Sequence, residues 1–312
     1  MYCTKRITDD MVWVGADDRR LALFEGVYGV PDGVSYNSYL ILDEKTILFD
    51  TVDKAVAHNF FDNVAHELAG RKLDYLVISH MEPDHAATIE DIALRYPEAK
   101  IVCNAKIRDM LARFFPTDLS ERLHLVKEGD SLSTGRHEFT FVMAPMVHWP
   151  EVMMTYDKTD KILFSADAFG SFGALNGRIF ADECDFMNEY STRPAATTPT
   201  SSASTASQVQ TALAQGRRAR HQVRLPADSF VWRQGRRFPP STTSGAATPP
   251  RSRASHRLRQ RLRPHRERRE HPRRQASDRG VKVKMYDTSV TPRATSSPTP
   301  SSTATRARRD DV

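Results

Sequence analysis

The chain has 312 residues, 39% of them hydrophobic and 27% charged, with a formal net charge of +6 and three cysteines. That length allows one large domain or two with ample chain for a core. Three scattered cysteines exclude a disulfide framework and point to a reducing, cytoplasmic setting, while the absence of an 18-residue apolar run or a cationic leader argues against membrane spanning and secretion.

Residues 1–190 read as an ordered α/β domain. Tyr36 to Leu42 and Thr46 to Asp50 predict two strands around the charged turn Asp43-Glu44-Lys45. Asp53 is placed to cap a helix in which Val56, Phe60, Val64 and Leu68 recur at helical spacing, and Gly70 ends it. Leu73 to Ile78 follows as a short buried strand. Next comes the loop Ser79-His80-Met81-Glu82-Pro83-Asp84-His85, with a helix expected from about Ala86. A strand over Lys100 to Cys103, a helix over Ala105 to Phe114, and strands over Glu138 to Val142 and Lys161 to Ser165 complete the reading. Strand, crossover helix and strand make βαβ units, whose functional loops gather at the carboxyl ends of the strands.

After Tyr190 this pattern fails, and so does the charge balance. Residues 1–190 carry 19 Lys and Arg against 32 Asp and Glu, whereas residues 191–312 carry 26 against 7. The later part has no isoleucine, one tyrosine (Tyr286) and two lysines (Lys282 and Lys284), too few core-forming residues for a folded domain of that size. Islands of ordinary protein sequence survive in it: Ser207 to Leu213 as an amphipathic helical piece, Val231-Trp232-Arg233, and Ser277 to Val290 as a helix end, a glycine turn and a strand. Between them lies Ser/Thr/Pro- or arginine-rich filler of the kind that a neighbouring reading frame of GC-rich coding DNA produces. Ala195 to Ala206 and Ala294 to Thr305 can both be encoded so that a one-base shift restores tyrosines, isoleucines and lysines. The reading is therefore a frame-slipped coding sequence.

The chemistry concentrates in "HMEPDH". His80, Glu82, Asp84 and His85 place four ligand-type side chains within six residues, on a turn beyond a buried strand, where such a cluster can face a pair of metal ions. A pair needs donors from further loops, and His148 and Asp167 follow later predicted strands. Read singly, His148 is as readily a structural histidine and Asp167 a helix cap. The carboxylate-rich set suits iron, manganese or zinc and disfavours copper.

"SHMEPDHAATI", "MVHWPEVMMTY" and "LFSADAFGSFG" closely resemble the metallo-β-lactamase-like domain of flavodiiron proteins, the A-type flavoproteins or rubredoxin:oxygen oxidoreductases. The resemblance covers residues 1–190. It implies an αββα sandwich in which His80, Glu82 and His148 ligate one iron, Asp84 and His85 the other, and Asp167 bridges them. Hydrolytic relatives show His-x-His-x-Asp-His, so Glu82 marks the iron-binding variant. A zinc hydrolase of the same superfamily is the alternative. The resemblance also calls for one more histidine, in a segment like Cys-Pro-Leu-His-Gly-Pro-Val-Trp-Arg. Counting back from Val231-Trp232-Arg233 puts Asp228 there; its carboxylate could ligate iron, but the altered surround reads as a slipped frame, so the chain is expected to lack that histidine and to hold the second iron weakly or not at all.

By the same resemblance the metal domain runs over residues 1–250, and residues 251–312 are a degraded remnant of a flavodoxin-like α/β domain that would bind FMN. Arg251 to Arg274 contains eleven arginines and no glycine. A phosphate loop needs small residues so that backbone N–H groups reach the phosphate, and this run cannot supply one. Its charge would attract polyanions, but with no aromatic residue for stacking it does not read as a nucleic-acid site. Intact relatives are expected to pass electrons from rubredoxin or another reductant through FMN to the diiron pair. There, in a head-to-tail homodimer, dioxygen becomes water or nitric oxide becomes nitrous oxide. Trp149, Tyr156 and Phe172 are candidate pocket walls, with core packing as the competing role.

Overall fold

The computed structural model describes residues 2–24, 26, 28–184 and 222–233. These build two sheets. The first contains Lys5–Arg6 (β1), Met11–Trp13 (β2), Tyr39–Leu42 (β3), Thr46–Phe49 (β4), Tyr75–Val77 (β5), Lys100–Cys103 (β6) and Leu123–Leu125 (β7), each bonded to the next. β1 to β4 pair antiparallel, and β4 to β7 pair parallel. The second contains Ser131–Ser133 (β8), Glu138–Met143 (β9), Met153–Asp157 (β10), Ile162–Phe164 (β11), Val223–Leu225 (β12) and Trp232–Arg233 (β13), again in chain order. It is antiparallel except between β11 and β12. Two small ribbons, Ala16–Asp18 with Val34–Tyr36 and Leu23–Phe24 with Tyr28–Gly29, precede β3.

Parallel neighbours require crossovers, and helices supply them. Ala57–Leu68 (α1) joins β4 to β5, Pro83–Ala86 (α2) and Ile89–Arg95 (α3) join β5 to β6, and Ala105–Phe114 (α4) joins β6 to β7. The Asp53 carboxylate accepts the Ala55 N–H at 2.7 Å and starts the 3-10 turn that leads into α1. α1 buries Phe60, Val64 and Leu68, as its spacing predicts, and ends at Ala69 in the left-handed region. The Asn104 side chain accepts the N–H groups of Lys106 and Ile107 and caps α4.

The sheets pack face to face. Phe49 of β4 stacks on Phe164 of β11 with centroids 3.8 Å apart and meets Phe139 of β9 edge-on at 5.4 Å. All three rings are buried, each burial stabilising the sandwich by roughly 2–3 kcal/mol. The sandwich expected from the sequence is the observed architecture, with the helices of the described residues crossing over along the first sheet.

Among the differences from the sequence reading, three bear on the surroundings of the motif. Tyr36 to Leu42 is not one strand: it breaks at Asn37-Ser38, because both side chains are spent on backbone elsewhere, Asn37 on the 226–229 loop and Ser38 on the carbonyls of Phe49 and Asp50. The helix expected near Ala86 begins at Pro83, inside the motif, since proline's missing N–H costs nothing at a first helical position. β10 was absent from the prediction, because four of its five residues are buried and no alternation marks it. The expected Ser207 to Leu213 helix, the 251–312 remnant and the Ser277 to Val290 fragment lie outside the described residues.

Candidate metal centre

The motif loop is set by backbone contacts on three sides. Asp50, at the end of β4 with φ 55°, accepts the Ser79 N–H on its Oδ1 at 2.7 Å. The Thr51 hydroxyl donates to the His85 carbonyl at 2.8 Å. Opposite, Met153 N–H donates to the Ser79 carbonyl, and Glu151 Oε1 accepts the Met81 N–H at 2.9 Å. Asp50, Thr51 and Glu151 are positioning residues that the sequence reading missed; a carboxylate directly after a strand end was the available signal for Asp50.

Within this frame, Glu82 is extended and α2 starts at the next residue, so the motif turns a corner. His80 and Glu82 stand on one side of it and Asp84 and His85 on the other. His148, on the loop between β9 and β10, brings its Nε2 to 2.7 Å from Glu82 Oε2 and 2.9 Å from Asp167 Oδ2. Asp167, two residues beyond Ser165, also places Oδ2 3.2 Å from His80 Nε2 and Oδ1 3.4 Å from His85 Nε2. The six predicted residues thus come together, as two abutting groups.

A seventh residue joins them. Asp228 is buried, with its Oδ1 3.4 Å from His85 Nε2. The groups able to hold a cation are His80, Glu82, His148 and Asp167, and beside them Asp84, His85 and Asp228. A carboxylate, and not a histidine, stands at position 228, beside Asp84 and His85. A third cluster, Asp10, His137 and Asp160, lies at the other end of the strands, where the Arg136 guanidinium already bridges its two carboxylates.

The donor atoms fit a metal. His80 Nδ1 and Nε2, His85 Nδ1 and Nε2, Glu82 Oε2, Asp84 Oδ1 and Asp167 Oδ1 are buried and make no hydrogen bond, close as they lie to one another. So many buried polar atoms left without hydrogen bonds would be costly in a purely structural cluster. Burial opposes charge on each group, yet the mixed signs prevail: Asp167 holds His80, and Asp84 with Asp228 holds His85, well above the ordinary imidazole range. Against the same burial, His148 is raised to about 10 by the Asp167 and Glu82 carboxylates beside it. Burial is likewise overcome at Glu82, drawn down to about 2 by His148 and His80, and at Asp167, held low by His80 and His85. Burial wins at Asp84, which is raised, and at Asp228, raised to about 7. A cation held by these residues would supply the positive charge that protons on the imidazoles otherwise supply.

The candidate walls divide. Phe172 packs in the main core against the rings of Phe24 and Tyr28. Trp149 and Tyr156 pack on a smaller apolar cluster around Val147, Val152 and Leu163, next to the His148 loop.

Fold and site together define a β-lactamase-type sandwich carrying a two-position metal centre. The chain belongs to the ODP family of beta lactamases, whose model matches residues 34–207. It is 39% identical over 186 residues to the anaerobic nitric oxide reductase flavorubredoxin of Klebsiella pneumoniae subsp. pneumoniae, covering 59% of this chain and 38% of that protein. Among solved structures it is similar to rubredoxin oxygen:oxidoreductase from Desulfovibrio gigas, with TM-score 0.65, 28% identity, and coverage of 78% of this chain and 59% of that one. The flavodiiron protein from Giardia intestinalis gives TM-score 0.65 and 27% identity, covering 78% and 57%. The chain therefore spans less than two thirds of the length of each of these relatives. No helix among the described residues is long and apolar enough to cross a membrane.

Proposed function

We propose that this chain is the metal-binding part of a flavodiiron-type oxidoreductase that reduces dioxygen to water or nitric oxide to nitrous oxide. His80, Glu82 and His148 would hold one iron, Asp84 and His85 the second, with Asp167 between them. The observation that carries this reading is the meeting of two ligand groups at the Asp167 carboxylate, whose oxygens face His80 on one side and His85 on the other. Glu82 supports iron over zinc, since it puts a hard oxygen where hydrolytic relatives use an imidazole. A bound pair of ferrous ions would supply a shared site and two electrons, enough to take two nitric oxide molecules to nitrous oxide, while dioxygen reduction to water would draw two more from the reductant. The protein's part is to keep the donors fixed and dry, through Asp50, Thr51 and Glu151.

We assign residues 1–250 to this domain and 251–312 to the start of a flavodoxin-like FMN domain whose coding frame has slipped. The family match ends at residue 207, within the stretch where composition changes. Residues 251–274 offer no phosphate loop for FMN, so the chain as it stands is expected to bind metal but to turn over poorly. Rubredoxin or another reductant, a head-to-tail homodimer and a cytoplasmic setting belong to the intact form.

Anaerobic purification, metal analysis and gas-consumption measurements with a chemical reductant test the reading. Two irons per chain and consumption of dioxygen or nitric oxide on reduction are the expected result. Stoichiometric zinc with ester or lactam hydrolysis, and no gas consumption, would overturn it in favour of a hydrolase.

A further inference from the structure

The loop bearing Asp228 is held almost entirely by its backbone. The Asn37 side-chain amide donates to the carbonyls of Pro226 at 2.9 Å and Ser229 at 2.8 Å, and Asn37 N–H donates to the Ala227 carbonyl. The Tyr39 hydroxyl donates to the Pro226 carbonyl at 2.6 Å, Ala227 N–H donates to the Ala166 carbonyl, and Ser229 N–H donates to the Ser35 hydroxyl. Asn37 is itself fixed by the Trp13 indole N–H, donated to its Oδ1 at 2.8 Å. A path specified through carbonyls and amides tolerates changed side chains, so the loop delivers whatever stands at position 228 into the centre. Gly170 makes room for it: a Cβ there would lie 3.0 Å from Asp228 Cβ.

Resting on the metal-pair reading, we propose that Asp228 is the ligand completing the second position, and that it makes this position prefer an oxygen-favouring divalent ion, iron(II) or its analogue manganese(II), over zinc(II). The two positions then differ in kind. His80 and His148 give the first two imidazoles with Glu82, a set suited to iron or zinc. The second has one imidazole, His85, with the carboxylates of Asp84 and Asp228, and shares Asp167. Asp84 Oδ1 and both His85 ring nitrogens are buried without a hydrogen bond, so the donors are there to be used. Charge agrees: Glu82, Asp84, Asp167 and Asp228 together balance two divalent cations, whereas a histidine at 228 would leave one positive charge uncompensated in a buried site. Carboxylate-rich sets favour manganese, and each imidazole replaced by carboxylate moves a site away from zinc.

The test is titration of the chelator-stripped full chain with manganese(II), reading free ion by electron paramagnetic resonance, then competition with zinc(II). The wild type is expected to take two ions per chain. Asp228→Ala and the near-isosteric Asp228→Asn should weaken the second step at least about tenfold, with circular dichroism and melting curves confirming a folded chain. Asp228→His should still take two ions but shift the second step toward zinc by about tenfold or more. Undiminished second-step binding in both Asp228→Ala and Asp228→Asn, or an unchanged manganese-to-zinc ratio in Asp228→His, overturns the proposal. A wild type holding one ion, unaffected by Asp228→Ala, sinks the Asp228 assignment and leaves the first group standing. A wild type holding none sinks the metal-pair reading itself.

Discussion

Asp167 faces both histidines of the motif, its Oδ2 3.2 Å from His80 Nε2 and its Oδ1 3.4 Å from His85 Nε2. One side chain thus serves both halves of the centre. Replacing it by alanine should therefore lower metal loading at both positions, whereas a change at Glu82 or Asp84 should affect one. Without metal, Asp167→Ala leaves buried imidazoles short of their carboxylate and should cost about 3 kcal/mol. Metal content and urea unfolding of the same variant would check both effects; full two-ion loading in Asp167→Ala would refute the bridging role.

Glu82→His would convert the motif to the hydrolytic pattern. Glu82 Oε2 lies 2.7 Å from His148 Nε2, so an imidazole there would join two others at the first position. The expected result is a rise in the zinc-to-iron ratio of the purified protein of about tenfold or more. An unchanged ratio would mean that Glu82 does not select the metal.

Asn37→Ala should loosen the 226–229 loop. The substitution removes two donors to buried carbonyls and strands the Trp13 indole N–H, for a loss of about 3 kcal/mol. Second-position metal affinity should fall with it while the first position is retained. Urea unfolding and stepwise titration measure the two losses; unfolding within about 0.5 kcal/mol of wild type would contradict the role given to Asn37.

His137 links the sheets at the end away from the metal centre. Its Nδ1 lies 2.8 Å from Asp157 Oδ2 and its Nε2 3.1 Å from Asp10 Oδ2, its N–H donates to Asp43, and Arg136 beside it is paired to Asp10 and Asp160. Burial alone would lower its pKa, but the hydrogen bond and charge of Asp157, followed by those of Asp10, raise it above the ordinary imidazole value. A raised folded-state pKa gives stability that is complete below about pH 6.5 and lost as pH rises through the folded value. The wild-type advantage over His137→Gln should then be about 2 kcal/mol near pH 6 and shrink toward pH 9. A difference that stays flat across that range rules the linkage out.

Local signals carried much of the fold. The cap at Asp53 and the buried spacing of Phe60, Val64 and Leu68 made α1 readable, and four ligand types within six residues exposed the core of the site. What escaped depends on distant partners. The break at Asn37 follows from carbonyls about 190 residues away, and His137 draws its character from Asp157, 20 positions later, and from Asp10, 127 positions earlier. Asp228 was readable as a position and as a possible donor but not as a placed one, because its neighbours' side chains suggest a lost segment while the Asn37 contacts specify a path.

The corner at Pro83 makes the motif a fixed-length part. Glu82 is extended, and Asp84 and His85 already lie in α2, so their directions follow from the helix starting where it does. Each residue along a helix turns its side chain by about 100°. Inserting a single alanine after Pro83 would swing His85 away from Asp167 while leaving His80 and Glu82 where they are. Composition, charge and hydrophobicity would hardly change, yet one half of the centre would be dismantled and the other kept. Such a length variant separates the two positions without altering any ligand.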